Sequence, residues 1–186
     1  METQKLFMIL LGCKPLGRLT EQHDIFFGIG RTLKELVPEM KQFWPEAKGQ
    51  LHIDAWREVT VADDHKVEII EDFGSAAEEA KKLFFINLGG YKENEFDEFH
   101  YKVLAVGASL SEATKKSKQT TFYKHYDVKG AASHVDDKYG VDVDDSYNVD
   151  DLLPDETKRR FRLKITPVEN IADDVINIGY LPLSKL

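Results

Sequence analysis

The sequence predicts an α+β protein made by internal duplication of a βαββ unit, the element order of a ferredoxin-like fold, with mixed sheets that each carry one main helix. Three observations lead there. Residues 5–42 align over residues 82–119 without a gap, and roughly a third of the paired positions are identical. Each copy begins with an apolar run too continuous for a one-sided strand. Each then continues into apolar residues at helical spacing.

The elements of the first copy follow in order. Leu6 to Leu11 is apolar throughout and reads as a strand buried on both faces, closed by Gly12. Thr20 is placed to cap a helix over about residues 21–36, because Phe26, Ile29, Leu33, Val37 and Met40 recur at the helical period. Pro38 must break or kink that helix. Leu51, Ile53, Ala55, Val59 and Val61 then alternate with polar residues, as in a half-buried strand, and put Trp56 on the polar face with His52 and Asp54. Residues 62–65 read as a turn, and Lys66 to Glu71 as the returning strand of a hairpin.

The second copy repeats this pattern. Asp97 stands where Thr20 does, and Val103, Val106, Leu110 and Ala113 renew the apolar stripe. His134, Val135 and Asp136 match His52, Ile53 and Asp54, a longer acidic hairpin loop follows, and residues 160–166 supply the returning strand. Each copy closes with one further strand, at Leu83 and at Val175 to Tyr180. The domains are therefore drawn as residues 1–81 and 82–186. A first strand apolar on both faces needs cover from a second sheet, supplied by the other copy or by a second chain in a homodimer.

Composition narrows the function. The 186 residues are 42% hydrophobic, enough for a real core in one domain or two small ones. A formal charge of -8, with no lysine or arginine stripe, argues against nucleic acid and against an anionic membrane surface as partners. Cys13 is the sole cysteine, so neither an intrachain disulfide nor a thiolate zinc cluster is available, and a reducing cytoplasm fits best. The apolar run at residues 6–13 is too short for a signal peptide and follows Glu2.

The run LFMILLG, the GRLTEQHD and FFGIG segments within Leu6 to Trp44, and the HIDAW that follows resemble a small bacterial family of domains of unknown function found as one or two copies per chain. Ser133 to Asp145, SHVDDKYGVDVDD, resembles the same family. The resemblance implies a two-copy protein and brings no activity, substrate or catalytic residue.

The best chemical constellation is duplicated: Glu21 and His23 with His52 and Asp54, and Glu98 and His100 with His134 and Asp136. An imidazole beside a carboxylate orients a proton acceptor or binds a divalent metal. The plainer reading is helix capping and a wet strand face. Lys14 and Arg18, between a strand end and the expected helix start, form a candidate anion loop, although the second copy has Glu93 and Glu95 there. The acidic run from Asp136 to Glu156 departs from the order of a calcium loop and reads as a solvated connection. No HExxH or cysteine–histidine pattern is present, so no metal site is assigned and the cofactor is left unknown. These features predict a binding or regulatory module. The alternatives are a hydrolase or transferase with His23 or His52 as base, and a structural scaffold.

Overall fold

The computed structural model describes residues 3–71, 81–91, 94–125 and 142–186. It is an α+β structure in which every strand pairing among those residues is antiparallel, so the expected mixed sheets are not what forms. The chain falls into two compact units. One comprises Met1–Ala76 and Leu152–Leu186, and the other Ala77–Asp151.

In the first unit β1 (Lys5–Cys13) lies at the centre of its sheet between β2 (Gln22–Gly30) and β3 (His52–Glu58), and β10 (Asn177–Pro182) adds to the outer edge of β3. A second sheet is formed by β4 (Val61–Ala62), β5 (His65–Glu71) and β9 (Phe161–Pro167). Helical cover of the first sheet comes late, chiefly as a 3-10 turn at Leu33–Leu36 running into α1 (Val37–Phe43).

The helix expected over residues 21–36, with Thr20 as its cap, is therefore a strand. The stretch Ile25, Phe26, Phe27, Gly28, Ile29, Gly30 explains why. Phe26 and Phe27 are adjacent and both buried, so the residues bury two opposite faces, as a strand covered on both sides does and an amphipathic helix does not. Two glycines in six residues also oppose a helix. In the strand Gly28 is needed for packing, because a Cβ there would lie 3.0 Å from Leu36 and 2.8 Å from the Phe26 ring. Pro38, expected to break a helix, instead opens one in the first turn of α1, where its missing N–H costs nothing.

The same substitution of strand for helix occurs in the second unit. There β6 (Lys82–Tyr91) pairs with β7 (Glu98–Gly107), and α2 (Leu110–His125) starts only after Ser109. Asp97 does not cap a helix; its side chain accepts a hydrogen bond from Glu98 N at the start of β7. The helix start is set by Ser109, whose hydroxyl accepts from Glu112 N, while the Glu112 carboxylate accepts from Ala108 N. The first unit makes the matching bond from Arg31 N to Glu35. These bonds hold both carboxyls below the ordinary glutamate range: in Glu35 chiefly through the Arg31 side chain, in Glu112 through the Ala108 amide.

Each unit thus runs strand, strand, helix, strand rather than βαββ. The residues that align in sequence also align in register. Lys5 faces Gly30 and Gly12 faces His23; Lys82 faces Gly107 and Gly89 faces His100. The next strand on the other edge is β3 in one unit and β8 (Asp142–Asn148) in the other, and each carries a bulge, between Leu10 and Leu11 and between Asn87 and Leu88.

Two further expectations change. The hairpin after β3 is made by β4 and β5 around Asp63 and Asp64, both with positive φ, while β3 itself pairs with β10. The strand at residues 160–166 does not return within the second copy; as β9 it pairs with β5 along the whole of that strand. Part of the acidic connection is also structured, as β8, α3 (Val149–Leu152) and α4 (Asp155–Arg160).

The core of the first unit gathers Phe7, Ile9, Leu11 and Cys13 of β1, Phe26 of β2 and Ile53 of β3 under Leu33, Leu36 and Met40. Each such fully buried side chain contributes about 1.5–3 kcal/mol. The second unit has a smaller core of Phe84, Ile86, Leu88, Ala105 and Ala113. No helix among the described residues is long and apolar enough to cross a membrane.

Candidate functional site

Alternation along β1 sends its odd-numbered residues into the helix-covered core and leaves Leu6, Met8, Leu10 and Gly12 on the opposite face. Gly12 is the last of that row. It faces His23 on one neighbouring strand and His52 on the other. With no side chain of its own, Gly12 leaves a gap between two imidazoles, and a Cβ at that position would overlap both His52 Nε2 and Asp54 Oδ2.

Asp54 enters the gap because of the bulge. Leu10 pairs with Ala55 and Leu11 with Ile53, so Asp54 is the extra residue of the bulged strand. The bulge also shifts the alternation of β3. Trp56, expected beside His52, is carried to the core side, opposite Ile9, where its ring lies 6.1 Å from that of Phe7.

Four of the sequence-predicted residues therefore meet. His52 Nε2 lies 2.9 Å from Glu21 Oε1 and 3.3 Å from Asp54 Oδ2, and His23 Nε2 lies 3.3 Å from the same Asp54 oxygen. The burial is uneven. The His52 side chain is 7% exposed and Asp54 26%, whereas His23 and Glu21 are 43% and 45% exposed. Although these contacts are short, His52 Nε2 and Asp54 Oδ2 are shut off from solvent without a hydrogen-bond partner among the described residues. The atoms converge but do not align as donor and acceptor. The Tyr180 ring covers His52 at 4.4 Å between centroids. No three His, Cys, Asp or Glu side chains among the described residues already surround one point as the ligands of an ion would.

The cluster borders a cleft of about 450 Å³ lined by Lys14, Glu21, Lys41, His52, Tyr180 and Ser184, among others. Lys14 of the expected anion loop thus joins the site, while Arg18 is exposed and is not part of that lining. The helix on which the anion argument depended is absent, since the loop runs into β2. Cys13 lies in the core on the other face of β1; burial first, and the nearby Glu21 charge second, push its thiol up, which disfavours the reactive thiolate.

A larger cleft in the first unit, about 1200 Å³, includes Arg31, Glu35, Glu39, Asp155, Glu156 and Arg160 in its lining and none of the sequence-predicted residues. Glu39 is pushed up there, by burial first and by Glu156 second.

In the second unit, His100 faces Gly89 as His23 faces Gly12, and Glu98 stands at the start of β7 opposite Tyr91. His134 and Asp136 lie outside the described residues. By strand register the residue opposite Gly89 is Asp142, and the bulged residue is Asp144. The counterpart of His52 is therefore Asp142 rather than His134. In sequence, DVD at residues 142–144 and HID at residues 52–54 share an aspartate after an apolar residue, a weaker match than the histidine at His134.

The model of a family described as a domain of unknown function, DUF1543, matches residues 18–69, a span that contains Glu21, His23, His52 and Asp54. The structure is similar to the crystal structure of a protein Il1583 from Idiomarina loihiensis, with a TM-score of 0.62 and 20% sequence identity, covering 97% of this chain and 98% of that one. At that identity the likeness is one of fold alone. No curated protein matches the chain. No reaction is assigned by either similarity.

Proposed function

We propose that this chain is a binding protein and that its ligand occupies the cleft beside Gly12. The observation that carries this reading is the His52 imidazole. It is buried and covered by the tilted Tyr180 ring, and its Nε2 faces two carboxylates without a hydrogen bond. Leaving a buried polar atom unpaired costs about 1–3 kcal/mol, which a ligand group bonded to it would offset. The cleft has the size of a small-molecule site and combines an aromatic platform with charged groups of both signs. Lys14 and Lys41 suit an acidic group on the ligand, and the Gly12 cluster suits its polar remainder.

The test is a screen of small carboxylic acids against the isotopically labelled full chain by NMR. Binders should shift the amides of Gly12, Lys14, His52 and Tyr180 together, and His52→Ala should remove the effect. Shifts scattered over the chain, or persisting in His52→Ala, overturn the reading.

A second reading is supported by the two imidazoles on one carboxylate oxygen. Asp54 would orient His52 or His23 as the base of a hydrolase or transferase. Turnover of chromogenic esters that is lost in Asp54→Asn would favour it. We further infer that the two strand–strand–helix–strand units are copies of one ancestor, a reading supported by their matched registers and bulges.

A further inference from the structure

We propose that Glu21, His23, His52 and Asp54 hold one divalent transition-metal ion of the zinc class. This rests on the binding reading above and names the cofactor of the same site.

Three features support it. The first is the state of the buried atoms. His52 Nε2 and Asp54 Oδ2 lie 3.3 Å apart, out of solvent, and make no hydrogen bond to one another. Donor atoms that touch without aligning are what adjacent ligands of an ion do, since their lone pairs point at the ion. Bonds of about 2.0–2.1 Å to zinc place neighbouring tetrahedral donors about 3.3 Å apart. The three contacts in the cluster are 2.9, 3.3 and 3.3 Å.

The second feature is charge. Two carboxylates and two neutral imidazoles sum to -2, which a dication neutralises, and a mixed nitrogen and oxygen set suits zinc or its neighbours rather than calcium.

The third is the division of mobility. His52 is held by burial and by Tyr180 and Asp54 by the bulge, whereas Glu21 and His23 are nearly half exposed. The buried pair forms the prearranged half of the set, and the exposed pair closes by side-chain rotation when the ion enters. This accounts for four donors that are linked in a row by three contacts and do not yet surround one point. Gly12 lets the two inner donors come together, because a side chain there would occupy the space that His52 Nε2 and Asp54 Oδ2 take. The assignment is made for the first unit, where the four side chains are brought together, and one ion is expected there.

The experiment is calorimetric titration of chelator-treated full chain with Zn²⁺, together with the visible spectrum of Co²⁺. One saturable equivalent is expected. Asp54→Asn and the exposed His23→Gln should each weaken it by at least about tenfold, and His100→Gln should leave it unchanged. Circular dichroism checks that Asp54→Asn folds; His23→Gln tests the assignment independently because that side chain lies at the surface. Absence of saturable binding, or equal loss in His100→Gln, overturns the metal site. If zinc fails while small acids still shift Gly12 and His52, the metal assignment alone falls. If both fail, the cleft is not a binding site.

Discussion

Gly12 organises the cluster through the side chain it does not have. On either side of it stand residues from two different strands, and the space it leaves is filled by His52 Nε2 and Asp54 Oδ2. Gly12→Ala should therefore displace the buried pair, with an overpacking cost of about 1–3 kcal/mol in urea unfolding. It should also abolish the joint amide shifts of the cleft, although it removes no polar group. Unchanged stability and unchanged ligand response would show that the pair is not held by this gap. The histidines and carboxylates of the first unit were legible from sequence because the repeat singled them out. The purpose of Gly12 was not, since a glycine at the end of an apolar run reads first as a strand terminator. Nor was the position of Trp56: one bulged residue reverses the alternation, and nothing local in HIDAW marks it.

At the scale of elements, β2 decides between two readings of the same residues. Phe26, Ile29 and Leu33 satisfy the helical period, but adjacent buried Phe26 and Phe27 satisfy only a strand covered on both sides. Periodicity alone cannot separate a short, fully apolar strand from a helix segment. A paired substitution separates them experimentally. Phe27→Ala should cost about 3–5 kcal/mol, as expected for a side chain 2% exposed, and should speed amide exchange along β1, its hydrogen-bonded neighbour. Pro38→Ala should change stability by no more than about 0.5 kcal/mol, because Pro38 sits exposed in the first turn of α1. A gain near 3 kcal/mol in Pro38→Ala, the cost of a proline inside a helix, would instead support a continuous helix through that point.

For the whole molecule, the duplicated sequence and the compact units coincide only in part. The repeat predicts two consecutive halves, and the strands that align do form matching hairpins. The last two strands, however, go to the first unit: β9 pairs with β5 and β10 with β3. Sequence order could not show this, because an antiparallel partner need only lie nearby in space and residues 160–182 carry no mark of which edge they meet. A side-chain contact secures the return. Asp174 accepts from Thr60 N, Thr60 Oγ1 and Val61 N, fastening the segment before β10 to the start of β4. A chain ended after Asp151 loses β9, the partner of β5 along its whole length, and leaves β3 as an open edge. His52 also loses its Tyr180 cover, since that ring comes from β10. The truncated chain should lose protection from hydrogen exchange along β5 and at the β3 amides that face β10, while β6 and β7 keep theirs, because they pair with each other and β6 pairs with β8. Uniform loss in both hairpins would mean that the two units fold only together. Retained protection in β5 would show that β9 is dispensable and that the first copy is closed without the C-terminal strands.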